Sequence, residues 1–157
     1  MPPPLLFDPS QLDLSKVIVS REQIYEVLPQ RHEFALLDGV LHLDLEAKQM
    51  VAFHEVRPDE WWCKGHIPGR PLMPGVLIIE ATAQTAAYYF SRISNDMRFI
   101  GFSGVDDVKF RGAVVPPCRL LILGREISVR PRRIVCDAQA IVGDEMVFEG
   151  RITGMPI

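Results

Sequence analysis

Residues 65–84 read "GHIPGRPLMPGVLIIEATAQ". The first half is dense in Pro and Gly and reads as loop. From Pro74 onward the chain is almost continuously apolar. Pro74 suits a first helical turn, where its missing N–H matters least. The run predicts a helix from about Pro74 to Ser91, stopped by "SND" at 94–96. Val76, Leu77, Ile78, Ile79, Ala81, Ala83, Ala86 and Ala87 make that helix apolar nearly all round, so it should be buried on most sides. A single carboxylate breaks the pattern. Glu80 sits between Ile79 and Ala81, where a carboxylate costs several kcal/mol unless it is paired or keeps its proton.

The segments around this helix read mostly as strands. "FALLDGVLHLDLEA" and "KQMVAFHEVRP" have strand-like apolar content on either side of a polar turn near Glu46–Lys48. After the helix come "RFIGFSGVDDVKF", "RLLILGREISVR", "RIVCDAQAIV" and "MVFEGRITG", with hairpin turns at Arg130–Arg132 and Gly143–Asp144. Nearer the N-terminus, "SREQIYEVL" fits a short helix. Ser20 can cap it with Gln23 three residues on, Ile24, Val27 and Leu28 share a face, and Pro29 ends it. Strands, one long helix, then more strands read as α+β, with the helix packed on an antiparallel sheet. A sheet curled around the helix would bury it, and a symmetric dimer is a common way to cover the remaining edges.

The 157 residues suggest one domain over 1–157, with an N-terminal arm over 1–19. Residues 1–11 hold four of the 13 prolines and read as a loose or surface-laid arm. Apolar residues are 48% of the chain and charged ones 24%, ordinary for a globular protein. A net charge of −3 argues against nucleic acid, whose phosphates need an excess of Lys and Arg. No apolar run reaches the roughly 18 residues of a membrane span. The first residues lack the basic flank and long apolar stretch of a signal peptide. The 3 cysteines, Cys63, Cys118 and Cys136, are odd in number and widely spaced, which points to a cytoplasmic protein without a disulfide framework.

Glu80 lies too far into the helix for the dipole to explain it. It is either a structural carboxylate with a polar partner or an acid that holds a proton to give. His66 lies in the rigid "GHIPGRP" loop, as a surface histidine or as a base. The N–H groups of Gly75 and Val76, at the helix start, have no intrahelical partners and could polarise a carbonyl. A base, an acid and a carbonyl-binding amide together suit removal of a proton beside a carbonyl with loss of a β-hydroxyl. Gln84 is one turn from Glu80, either orienting its carboxyl or making an ordinary core contact.

"GHIPGRPLMPGVLIIEATAQ" resembles the signature of the 3-hydroxyacyl-(acyl carrier protein) dehydratases of fatty acid synthesis, the FabZ/FabA group. The likeness covers about residues 27–153: "LPQRHEFALLDGV" resembles the family's opening segment and "GVDDVKFRGAVVPPCRLLI" its later strand pair. The resemblance implies the hotdog fold, one long central helix wrapped by a curled antiparallel sheet, in a homodimer or a trimer of dimers. It implies His66 as base, Glu80 as acid and Gly75 N–H on the thioester oxygen, with His66 from one subunit and Glu80 from its mate. The substrate would be a (3R)-hydroxyacyl chain on acyl carrier protein and the product a trans-2-enoyl thioester. Neither cofactor nor metal is needed. Glu rather than Asp at position 80 resembles the FabZ class.

The chain departs from the family at Gln30, Glu33 and Ile67, where His, Pro and Phe are usual, and at "DEWWCKGH". These changes leave substrate length and identity open. Two other readings remain: an acyl thioesterase of the same fold, against which the "GHIPGRPLMPG" loop argues, and a non-catalytic acyl-binding or assembly subunit, against which retention of His66 and Glu80 argues. Arg70, Lys109 and Arg111 are candidate contacts for an acidic carrier protein, or members of a solvated face. Cys63 and His66 form a Cys-x-x-His pair without two further ligands at metal-site spacing. Trp61 and Trp62 read as gate, dimer contact or ordinary packing. Tyr88 and Tyr89 read as core or interface.

Overall fold

The structure, a computed structural model, describes residues 3–94 and 98–157. After a two-residue strand β1 (Val19–Ser20), Ser20 caps helix α1 (Arg21–Val27). Its Oγ accepts the Gln23 N–H at 3.2 Å, and Gln23 Oε1 accepts the Ser20 N–H at 2.9 Å. This is the reciprocal capping box expected from the sequence. The buried face differs from the reading. Ile24, Tyr25 and Leu28 are buried, whereas Val27 is 39% exposed. On so short a helix, tertiary contacts chose the tyrosine over the valine.

Strands β2 (Gly39–Asp44) and β3 (Gln49–Val56) form the first hairpin. Asp44 Oδ1 accepts the Ala47 N–H at 2.9 Å, and Lys48 closes the turn with φ 60°. Helix α2 (Gly75–Ile93) follows a long loop. Pro74 is its N-cap rather than its first helical residue, and the helix runs two residues past Ser91. Ser94 is extended and ends it, while Asn95 and Asp96 lie outside the described residues. Strands β4 (Ile100–Phe110), β5 (Cys118–Arg130), β6 (Arg133–Val142) and β7 (Glu145–Pro156) fall where the sequence placed them. Gly143, at φ 60°, supplies the left-handed residue of the last hairpin turn.

All pairings are antiparallel, in the order β1-β2-β3-β5-β6-β7-β4. The curled sheet wraps α2. Leu77, Ile78, Ala81, Tyr88 and Tyr89 of the helix share one core with Met50, Ala52, Leu120, Ile122 and Phe148 of the sheet.

Strand β3 explains why "MVAF" is apolar without alternation. Met50 and Ala52 face the helix, while Val51 and Phe53 face the opposite way. That second face is covered by the arm, whose Leu6, Phe7, Leu12 and Leu14 pack on Leu41, Val51, Phe53, Leu123 and Ile141. Gln139 ties the arm down: its Oε1 accepts the Leu6 N–H at 2.8 Å and its Nε2 donates to Pro4 O at 3.1 Å. A strand buried on both faces needs no polar alternation. From Pro4 to Leu14 the arm is therefore laid on the sheet rather than loose. Among the described residues, no helix is long and apolar enough to cross a membrane.

Candidate active site

Glu80 stands on the second turn of α2, half-buried rather than engulfed. Its Oε1 accepts a hydrogen bond from Gln84 Nε2 at 2.9 Å. Gln84 is 1% exposed and fully engaged. Its Nε2 also donates to Phe34 O at 2.7 Å, and its Oε1 accepts from the Tyr25 hydroxyl at 2.6 Å and from Leu36 N–H at 3.4 Å. The Tyr25 oxygen in turn accepts the Leu37 N–H at 2.8 Å. Burial pushes the Tyr25 phenol well above its ordinary range, so it stays a donor. The amide orientation of Gln84 follows from these partners, because Phe34 O can only accept. One oxygen of Glu80 is thus held by Gln84.

Glu80 lines a pocket of about 480 Å³ beside Gln30, Ala83, Ala87, Phe99 and Phe102. A second pocket of about 570 Å³ continues along α2 past Leu28, Phe90 and Arg98, sharing Gln30, Ala87, Phe99 and Ile100 with the first. Together they form a largely apolar slot running away from the carboxyl.

His66 lies elsewhere, exposed on the loop before α2, and does not line the Glu80 pocket. Its backbone is tied at both ends: His66 N–H donates to Trp62 O at 2.8 Å, and Leu72 N–H donates to His66 O at 2.8 Å. Its Nδ1 is 2.6 Å from Leu72 O. A carbonyl can only accept, so Nδ1 carries a proton, and in the neutral ring Nε2 keeps its lone pair. The loop therefore selects the tautomer a base requires.

Gly75 opens α2 directly beneath Phe110. A Cβ there would lie 2.6 Å from Phe110 Cε1, so any larger residue would have to push that ring aside. Phe110 is held in turn against Phe148, with ring centroids 5.6 Å apart. The Gly75 and Val76 amides precede the first intrahelical hydrogen bonds, and Val76 is 71% exposed.

The remaining candidates divide. Arg70 and Lys109 are exposed. Arg111 is not a free cation, because it pairs with Glu149 on β7. Trp62 is buried at 3% and belongs to the core, while Trp61 is 55% exposed near the loop. Cys63 is buried beside the Arg57 carbonyl, and burial raises its thiol, which suits an idle group. Tyr25 and the Phe34 carbonyl were missed in the sequence. Their only signal there was the presence of a polar helix residue, Gln84, that required partners.

The sequence matches the FabA-like domain over residues 28–151. It is 35% identical over 141 residues to the 3-hydroxyacyl-[acyl-carrier-protein] dehydratase FabZ of Chlamydia trachomatis serovar D, covering 88% of this chain and 92% of that one. It is 33% identical over 141 residues to FabZ of Lactococcus lactis subsp. cremoris, covering 89% and 96%. Among solved structures, the dehydratase heterocomplex ApeI:P from Xenorhabdus doucetiae superposes with TM-score 0.71 at 16% identity, over 85% of this chain and 90% of that one. That likeness bears on the fold alone, which is the hotdog. With the fold, the length of the match and the level of identity in agreement, this chain belongs to the FabA-like family, alongside the FabZ dehydratases.

Proposed function

We propose that this protein dehydrates (3R)-hydroxyacyl chains carried on acyl carrier protein to trans-2-enoyl thioesters in fatty acid biosynthesis. The observation that carries the reading is the Glu80 carboxyl, gripped by Gln84 at the head of an apolar slot. The thioester oxygen accepts the Gly75 N–H. Nε2 of His66 removes a proton from C2. The electron pair left at C2 forms the C2–C3 double bond as the C3–O bond breaks, and Glu80 gives its proton to the departing hydroxyl, which leaves as water. Each proton transfer contributes on the order of 10²–10⁴-fold.

In one chain His66 does not line the pocket that holds Glu80, so the reading takes His66 from a second copy. Strand β4 is the long edge of the sheet: among the described residues it pairs with β7 alone, and Phe102, Val105 and Phe110 on it are exposed. Antiparallel edges with exposed apolar residues favour self-pairing. The acyl chain would follow the slot toward Phe90. Arg70 and Lys109 remain candidate contacts for the acidic carrier protein. The whole of 1–157 then serves as one dehydratase unit in the cytoplasm, with the N-terminal arm, through Leu14, as its outer cover.

The test is to give the purified protein a 3-hydroxyacyl thioester and to follow enoyl absorbance and free thiol together. Enoyl product without thiol is expected. Thiol release without enoyl would establish the thioesterase reading instead, and neither product would leave an acyl-binding subunit.

A further inference from the structure

Away from the slot, β3 buries a histidine between two acids. His54 is 3% exposed. Its Nδ1 lies 3.0 Å from Asp38 Oδ2 and its Nε2 lies 2.8 Å from Glu60 Oε1. Carboxylates accept and do not donate, so both ring nitrogens carry protons and the ring is a buried cation. Each acid has further donors. Asp38 Oδ2 takes the Glu55 N–H at 2.7 Å, and its Oδ1 pairs with Arg21 at 3.3 Å and Arg57 at 3.5 Å. Glu60 Oε2 takes the Arg57 N–H at 3.1 Å.

The two acids come from different places. Asp38 precedes β2 in the sheet, whereas Glu60 lies at the root of the loop that leads to α2. From Glu60 a short run of backbone hydrogen bonds reaches His66. Cys63 N–H donates to Glu60 O at 2.9 Å, and Gly65 and His66 N–H donate to Trp62 O at 3.1 and 2.8 Å. We propose that His54 is a positioning residue for the dehydration: by joining Asp38 to Glu60 it fixes the root of the loop that presents His66. The inference rests on reading His66 as the base.

Its pH dependence follows from the same contacts. Burial works against the cation, but the hydrogen bonds and charges of Asp38 and Glu60 outweigh it, and His54 holds its proton up to about 9. Arg21 and Arg57 bear on Asp38. Glu55 offers only its N–H and turns its carboxylate to Arg119. The Cys63 and Cys118 thiols sense the Glu60 charge. Loss of the ring proton would leave one carboxylate without its donor and loosen the loop.

The experiment compares the full-length parent with His54→Gln and His54→Lys, measuring kcat and KM across pH and hydrogen exchange of the loop amides. His54→Gln keeps a donor and loses the charge. It should lower kcat by about tenfold or more through displacement of the base, with KM within about twofold. Its Cys63, Gly65 and His66 amides should exchange about tenfold faster than in the parent. The fall of parental kcat near pH 9 should vanish in this variant. His54→Lys restores a cation; it should recover most of kcat and carry the alkaline fall to higher pH. Parental kcat and parental exchange in His54→Gln would overturn the proposal. So would equal losses in both variants with an unaltered alkaline limb, because ring shape rather than charge would then matter. His66→Ala is run alongside. If it turns over normally, the assignment of the base fails; if it is dead while His54→Gln is normal, only the positioning role fails.

Discussion

Gln84 donates one amide hydrogen to Glu80 and the other to the Phe34 carbonyl, while its oxygen receives the Tyr25 hydroxyl. The side chain cannot turn without orphaning a buried partner, so Glu80 is held by a group that is itself immobile. Gln84→Leu should therefore damage both stability and turnover. Each unpartnered buried polar group costs about 1–3 kcal/mol. A drop in melting temperature together with about a hundredfold lower kcat is expected, since misplacing a reacting group by about 1 Å costs that much. Tyr25→Phe, which removes only the far end of the chain, should show a milder version of both effects. Normal turnover by Gln84→Leu would remove the orienting role.

The proposed pairing of His66 with Glu80 of a second subunit has a complementation signature. His66→Ala and Glu80→Gln should each lower kcat by at least about 10²–10⁴-fold while remaining folded. When the two inactive proteins are mixed and allowed to exchange subunits, half of the dimers combine one of each. Such a heterodimer has one doubly defective site and one intact site. About a quarter of parental activity should return. No recovery after verified exchange would place both groups in the same subunit.

Removal of residues 1–14 should uncover Leu41, Val51, Phe53, Leu123 and Ile141 on the outer face of the sheet. Each buried aliphatic or aromatic side chain contributes about 1.5–3 kcal/mol relative to exposure. The truncated protein should melt several degrees lower and self-associate, as read by calorimetry and sedimentation. Because the arm lies on the face opposite α2, KM should change little.

Stability should also fall on the alkaline side of neutrality. His54 has a folded-state proton affinity raised from the ordinary 6.5 to about 9. Its contribution is complete below pH 6.5 and drains as pH rises toward 9. The full contribution is about 3 kcal/mol. On the acid side Asp38, held below its ordinary 3.8 by hydrogen bonds and charge despite burial, loses its share as it takes up a proton. Denaturant melts at several pH values should show the alkaline slope in the parent and not in His54→Gln.

Much of this molecule was legible in advance because its signals are local. The α2 run, the Ser20–Gln23 cap and the Gly143 turn each involve residues within a turn or two of one another. Glu80 and Gln84 were visible as a pair for the same reason, four positions apart on one helix. The choice of Tyr25 over Val27 was not visible, since both positions fit an amphipathic reading of a seven-residue helix. Nor was the engagement of Arg111 by Glu149, which depends on the β4–β7 pairing.

By itself, the order of residues determined the strands, the long apolar helix, the loop that carries His66 and the carboxyl that interrupts the helix. The tertiary structure alone decided what anchors Gln84, and through it that carboxyl, and what roots that loop. Tyr25 reaches Gln84 across 59 positions, and His54 joins Asp38 to Glu60 across the loop boundary. The physical reason is that periodicity and capping act over a few residues, whereas a buried polar group finds its partner wherever the chain has folded back to supply one.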